Sequence, residues 1–433
     1  MIIMKRKLFT QIKNEWRSNL WLGIEFLVVS TALWYIFDNF VVVWQQLHMP
    51  NSYNTENCFY IELATESHDG IPGDNETRCN EVQTIVKRLR DYPGVQYASL
   101  VAHTGSVPHM QSMWNGNLCD VEADSLSFMV AYHFVDPEFF KVLRIPGVDG
   151  ETPEEMSEKF RYGSIFLSDN VPYKYRMNDN DELTWDYEMW EKYLNSSARE
   201  LMGRRYKLPG DSITRVVTGI IKPFKRMNFE EPQEAVIVAS KPEELYDADN
   251  ILVRVFPEAV ADFKDRVTAD SQSMFTVGNR FVRNVTSFDD LQKSVEANNW
   301  KELYYYIFMM VFLLMSIYLG LLGAFWFRTQ QRVSEIAIRK VNGATNRQIF
   351  GRLISEGFLI LILATPLSLV LDWLMTRYQF NSAFPGYLYF VPLRFALAAL
   401  FSFLSLALMI TLGIWFPARK AMQVDPALAI KDE

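Results

Sequence analysis

Hydrophobic positions along the chain are segregated. Four stretches of mostly apolar residues, 20–44, 303–327, 353–377 and 393–416, stand apart from a polar remainder. About 20 apolar residues span the hydrocarbon of a bilayer as a helix, so each stretch is long enough to be a transmembrane helix. The second and fourth hold no ionised side chain apart from Arg394 at the edge of the fourth. The first and third hold Glu25, Asp38 and Asp372. Charge inside a bilayer is costly and needs a reading of its own. Counted along the helices, Asp38 and Asp372 fall near the end that faces the long polar segment, as interfacial anchors close to water. Glu25 falls deeper, and three readings are open for it: pairing with a base such as Arg17 or Arg328, snorkelling to water, or proton coupling. Gly320, Gly323 and Ala324 give the second span a small-residue face on which another helix can lie close, a candidate dimer seam. Pro366 is expected to kink the third span and is a candidate hinge.

The polar parts alternate differently. Residues 58–63 alternate as a strand. Residues 80–90 place Val82, Ile85, Val86 and Leu89 at helical spacing, and 95–102 reads as a second strand, a β-α-β start or a split version of it. A strand at 251–256 and a helix at 258–268, with Val260, Phe263 and Val267 on one side, form a second β-α unit of the same sheet. Residues 130–240 read as an inserted, strand-rich subdomain, with strands at 163–167, 215–221 and 235–239 and a Tyr- and Trp-rich stretch at 178–193. The fold class is therefore an integral membrane α-helical protein of four spans with an extracytoplasmic α+β domain, porter-like with an inserted β-rich subdomain.

Composition alone hides this. The chain of 433 residues is 49% hydrophobic and has a net charge of −8, ordinary values for a soluble protein. The distribution of charge carries more. Lys and Arg cluster in 1–19, in 328–352 and in 417–433, whereas the loop 378–392 has none. The positive-inside rule then places both termini and 328–352 in the cytoplasm and 45–302 outside. The outer segment carries 42 acidic and 27 basic residues, a charge of −15, which leaves +7 for the rest. All three cysteines, Cys58, Cys79 and Cys119, lie in that segment, where one disulfide is open among three pairings and Cys58–Cys79 closes the shortest loop. The histidines, at 48, 68, 103, 109 and 133, do not have zinc-ligand spacing, and no H-E-x-x-H or G-x-S-x-G is present. No metal site and no catalytic residue are expected.

The segment 328–352 is the most informative. Val333, Ile336, Ala337 and Val341 share one helix face. Gly343 sits where a helix ends in the left-handed conformation, and Thr345 with Gln348 forms a capping box that starts the next helix. Helix, tight break and helix are predicted against the membrane surface, an arrangement suited to docking on another protein. In the tail, Asp425-Pro426 is an N-cap followed by proline, which predicts a short last helix.

The run EIAIRKVNGATNRQI at 335–349 resembles the cytoplasmic signature of the MacB/FtsX-type ABC transporter permeases. PARKA at 417–421 with VDPA at 424–427 is similar to the tail of the same family. VDPEFFKVL at 135–143 and the strand 214–224 resemble phrases of its outer domain. The resemblance implies an inner-membrane protein with a MacB-like periplasmic domain that passes ATP-driven motion across the membrane (mechanotransmission). It implies ATPase-coupling residues at Glu335, Ile336, Ile338, Arg339, Lys340, Asn342, Gly343, Ala344, Thr345 and Gln348. Its partners would be an ABC ATPase subunit, a second copy or a related permease, a periplasmic adaptor and membrane lipids, with no nucleic acid. The family's outputs are efflux or extraction of drugs, peptides or lipid-linked substrates, and activation of a periplasmic partner without transport. MacB itself carries its ATPase ahead of the first span. No phosphate loop occurs in this sequence, so ATP and Mg are expected on a separate chain and no cofactor on this one.

Overall fold

The computed structural model describes residues 16–49, 51–66, 74–102, 107–110, 115–121, 126–171, 175–177, 183–185, 198–210, 213–230, 232, 235–245, 248–377 and 392–423. The expected terminal segments 1–15 and 424–433, the loop 378–391, His68, His103 and most of 178–193 lie outside them. The chain divides into two units, 1–48 with 301–433, and 49–300.

Helix α1 (Trp16–His48) comes first. The mixed unit then begins with β1 (Cys58–Thr65), α2 (Asn75–Arg90) and β2 (Val95–Val101). The Asp74 carboxylate caps α2 by accepting from the Thr77 N–H, so α2 starts at Asn75, well before Val82, the first residue of its apolar stripe. Next come β3 (Asn115–Asp120), β4 (Leu126–Val135), α3 (Phe139–Leu143) and α4 (Pro153–Glu158). Then follow β5 (Ser164–Ser168), β6 (Tyr175–Met177), β7 (Leu183–Trp185), β8 (Arg205–Lys207), β9 (Thr214–Ile221) and β10 (Ala235–Ala239). The unit ends with β11 (Asn250–Val255), α5 (Val260–Met274) and β12 (Arg280–Ser287).

Strand β11 lies between β2 and β1, antiparallel to both, and β12 closes that edge. The expected β-α-β start is therefore the split version, with the second β-α unit supplying the inserted strand. Because strand side chains alternate between faces, this four-stranded part has two cores. Phe59, Ile61 and Leu63 of β1 meet Val82, Ile85 and Leu89 of α2 and Phe263 of α5. Cys58 and Tyr60 face the opposite way, onto Phe139, Phe140 and Leu143 of α3. This corrects the disulfide expectation. Cys79 is on α2, across the sheet from Cys58, and none of the three cysteines is in a disulfide. Burial pushes the Cys58 thiol up to about 12, so it is no nucleophile.

The strands of 115–239 continue the same sheet in the order β10-β5-β9-β8-β3-β4. Among the described residues one register pair, Val101↔Val135, joins β2 to β4, flanked by backbone bonds from Ala102 N to Phe134 O and from Asp136 N to Leu100 O. Asp136, just past that pair, ties the seam. Its carboxylate accepts from Ser99 Oγ at 2.8 Å, the Leu100 N–H at 2.9 Å, the Glu138 N–H at 3.0 Å and Arg90 Nη2 at 2.8 Å. The family-like phrase 135–143 is thus a structural joint followed by the core helix α3. Strands β3, β4, β6, β7, β8 and β12 had no counterpart in the expected elements. β3 reads NGNLCD, too polar for an alternation signal.

The remaining helices are α6 (Phe288–Gln331), α7 (Val333–Val341), α8 (Asn346–Arg377) and α9 (Pro392–Gln423). Among the described residues four helices, α1, α6, α8 and α9, are long and apolar enough to cross a membrane. Each runs past the apolar window seen in the sequence. α6 starts 15 residues before it, and α9 continues through Pro417 to Gln423.

Strand β4 carries a pH-sensitive core group. His133 is 3% exposed, with its ring 4.9 Å from that of Phe224 and neither ring nitrogen hydrogen-bonded. Burial pushes its pKa down to about 4. An unfolded chain takes up this proton near the ordinary histidine value, about 6.5. The unfolded state is therefore favoured progressively as pH falls from there towards 4, by a few kcal/mol at most. We expect the melting temperature of the chain in detergent to drop between neutral pH and pH about 4.5, and His133→Leu to remove part of that drop. An identical pH dependence in the variant would contradict this reading.

Candidate coupling site

Helix α7 starts where α6 ends, and α8 starts three residues after the break. The C-terminus of α7 is closed by backbone bonds from Asn342 N to Ile338 O, Gly343 N to Lys340 O and Ala344 N to Arg339 O. Gly343 has φ +85°, the left-handed value that closure requires. The Thr345 N–H donates to Gln348 Oε1 at 3.0 Å, and the Gln348 N–H donates to Thr345 Oγ1 at 3.3 Å. The capping box is therefore present, and the helix it opens runs unbroken into the third apolar stretch.

Ile336 and Ile349 are buried against each other with Val333, Ala344, Leu353 and Met422. Lys340 Nζ donates to the Met422 carbonyl at 2.5 Å, tying α7 to the end of α9. One expectation fails here. Val341 does not share the buried face with Ile336 and Ala337. It is 66% exposed, and Ile338, one turn away, is 50% exposed. Val341 is the last residue of α7, beyond the reach of the small core under it. Around this apolar pair lie exposed Asn342, Gly343, Thr345 and Gln348. Glu335 and Arg339 pair at 2.7 Å, one turn apart and each 37% exposed. A pair this exposed contributes about 0.3–0.5 kcal/mol, too little to explain its place as structural.

Two ion-pair sites were not found by sequence reasoning. Glu356 of α8 pairs with Arg332 from the α6–α7 junction and with Arg352 at 3.3 Å. It is 6% exposed and lines a cavity of about 20 Å³, the space of one water, with Phe325, Arg328, Thr329, Gly357 and Ile414. Asp38 is not an interfacial anchor. It is 1% exposed and forms a bidentate pair with Arg394 of α9, both bonds at 2.7 Å. Asp372 is likewise 1% exposed rather than at a surface. The signal was available in Arg394 standing two residues after Pro392 at the edge of a span. Glu25 is half-buried, and among the described residues no ion pair to it is seen; the Arg17 side chain lies outside them.

The small residues divide. A Cβ built on Gly320 or Gly323 meets no atom within 4 Å, so neither serves packing within the described chain. Gly357 and Gly413 do. A Cβ on Gly357 would stand 2.9 Å from Ile410 Cγ2, and one on Gly413 3.1 Å from Phe325 Cδ2. Pro366 lies inside α8, which runs through it.

Removing one partner of a buried pair strands the other charge, at a cost of about 3–5 kcal/mol, whereas an exposed pair costs well under 1 kcal/mol. Glu356→Ala should therefore lower the melting temperature of the purified chain far more than Glu335→Ala. Equal shifts would show that Glu356 is not a clamp.

No curated protein matches the chain. Among solved structures, the extracellular domain of the noncanonical ABC-type transporter YknZ from Gram-positive bacteria aligns at 14% identity, covering 52% of this chain and 100% of that one, with a TM-score of 0.28. A domain of a putative permease protein from Porphyromonas gingivalis aligns at 11% identity over 54% of this chain and 91% of that one, with a TM-score of 0.29. Scores this low carry no fold assignment. The family model of the FtsX-like permease C-terminal region matches residues 307–426, which hold the second, third and fourth apolar helices and all of α7 with its capped break. That region is similar to the FtsX-like permease family, and with four helices among the described residues long and apolar enough to cross a membrane the chain is a multi-pass membrane protein.

Proposed function

We propose that this chain is the permease subunit of an ABC transporter and that α7 with the turn 342–348 docks on a separate ATPase subunit, which holds the ATP and Mg. The carrying observation is the exposed apolar pair Ile338 and Val341, set on a helix whose other face and both ends are fixed. Exposed apolar residues rimmed by polar ones mark an interaction surface, and a pre-ordered helix loses little entropy on binding. Glu335, Arg339 and Lys340 supply charges beside it.

In this reading the 328–352 segment and both termini are cytoplasmic, in the inner membrane, and the unit 49–300 is periplasmic. The ATPase stroke enters through α7 and passes to α6 and α8 by way of the Arg332–Glu356–Arg352 clamp. Helix α6 is continuous from Phe288 to Gln331, which supports mechanotransmission along it. Its first turns are held in the mixed unit by Glu296, 1% exposed, which accepts from the Asn228 N–H at 3.0 Å and Asn228 Nδ2 at 3.1 Å and lies 3.4 Å from His109 Nδ1. Burial disfavours the Glu296 charge, but the adjacent His109 ring and the Asn228 hydrogen bond outweigh it and hold the carboxyl below its usual range. The open face of α6 at Gly320, Gly323 and Ala324 takes a second copy or a related permease. The output is export or extraction of a drug, peptide or lipid-linked substrate.

Ile338→Asp and Val341→Asp should each reduce co-purification of the ATPase at least tenfold from native membranes, with the chain still inserted. Arg339→Glu should do the same, and Gly343→Pro should disorder the turn and abolish docking. Wild-type ATPase recovery in all four variants would overturn the docking assignment.

A further inference from the structure

Helices α1, α8 and α9 enclose a column of polar side chains at the end of the bundle from which α1 leads on to residue 49. Asp38 and Arg394 stand at that end. Ser402 is eight residues along α9 from Arg394, a depth of about 12 Å. There Ser402 Oγ donates to the Ser30 carbonyl at 2.9 Å, and Ser30 Oγ donates to Ser368 Oγ at 3.2 Å. Past these serines the interior is closed by Phe26, Ile360, Leu361, Leu406 and Ile410.

Between the ion pair and the serines lies Asp372. It faces the Thr31 hydroxyl. Three buried polar atoms in this stretch have no hydrogen-bond partner: Asp372 Oδ1, Thr31 Oγ1 and Trp34 Nε1. The charges around Asp372 are already matched. Asp38 of α1 and Arg394 of α9 neutralise each other through two bonds. Helix α6 has no ionised side chain between residues 303 and 327. On α8, Thr376 Oγ1 is engaged with the Asp372 carbonyl. Among the described residues no cation faces the Asp372 carboxyl. A carboxylate this deeply buried, with no counter-charge facing it, neutralises by taking up a proton. A metal ion is a poorer occupant, because among the described residues no second carboxylate, histidine or cysteine joins Asp372 in a metal-holding group and the Trp34 N–H repels a cation.

We propose that Asp372 is a proton-binding site within the α1/α8/α9 bundle, occupied in the arrangement described and exchanging its proton through the end closed by Asp38 and Arg394. Protonation supplies what the geometry lacks, an O–H that donates to Thr31 and a carbonyl oxygen that accepts. Loss of the proton leaves a single unmatched charge inside the bundle. The inference stands on the span interior alone and is independent of the docking assigned to α7.

The test uses dicyclohexylcarbodiimide on the full chain in native membranes, with the modified residue located by peptide mass spectrometry. A protonated carboxyl gives its proton to one carbodiimide nitrogen while its oxygen bonds the central carbon, and rearrangement leaves a stable N-acylurea. Asp372 should be the labelled residue in the spans, with labelling falling about tenfold for each pH unit above the site's midpoint, and Asp372→Asn should abolish it. A measurement free of reagent access is the infrared C=O band of a protonated carboxyl in apolar surroundings, present in the wild type and lost in Asp372→Asn. Labelling that persists in Asp372→Asn, or a wild-type spectrum without a band that the variant loses, would overturn the proposal.

Discussion

The membrane unit depends on one contact, the bidentate pair between Asp38 of α1 and Arg394 of α9. These helices are the first and last spans of the chain, separated in sequence by the whole mixed unit and two other spans. Leu33, Phe26 and their neighbours pack the same interface, but within a membrane apolar packing gives little preference for protein over lipid. A buried charge has no such alternative. Either side chain left alone in the bundle would cost several kcal/mol, so the pair fixes which helices meet and in which register. Helix α8 closes on α1 through Ser30 and Ser368 and on α9 through the close approach at Gly357.

A second device of the same kind works at the opposite end of α8. Glu356 joins the end of α6 to α8, and Lys340 joins α7 to α9. The capped break between α7 and α8 is therefore not a loose connector. Its inner face is buried, its ends are hydrogen-bonded, and what it leaves exposed is Ile338 and Val341. A motion imposed on those two side chains has fixed routes into three of the four apolar helices.

Local features were legible in the sequence where their cause is local. Gly343, the Thr345–Gln348 box and the stripe of α2 each involve residues within one or two turns, and all three are present. So was the β-α-β start, because alternation and helical spacing switch cleanly at Tyr92; that it is the split version was not, because β11, which lies between β2 and β1, comes from far along the chain. Features built from distant residues were not legible. Asp38 read as an interfacial anchor because nothing near it in sequence shows that Arg394, 356 residues away, completes it. Cys58 and Cys79 are close in sequence but on opposite faces of a sheet, which spacing cannot reveal. Val341 fits the apolar face of a helical wheel, yet the helix ends before that face has anything to cover. Strand β3 is too polar to announce itself and is held by pairing with β4 and β8. The residues proposed for coupling were picked out by motif, and their division into buried Ile336 and exposed Ile338 needed the tertiary structure.

The central claim is that the exposed tip of α7 is covered by an ATPase in the membrane. A photo-crosslinking amino acid at Val341, activated in native membranes and followed by mass spectrometry of the adduct, asks what lies against that tip. The account predicts an adduct with a chain bearing a G-x-x-x-x-G-K-[ST] phosphate loop, weakened when Ile338 beside it is changed to Asp. Adducts with lipid alone, or with the chain's own mixed unit, would contradict it.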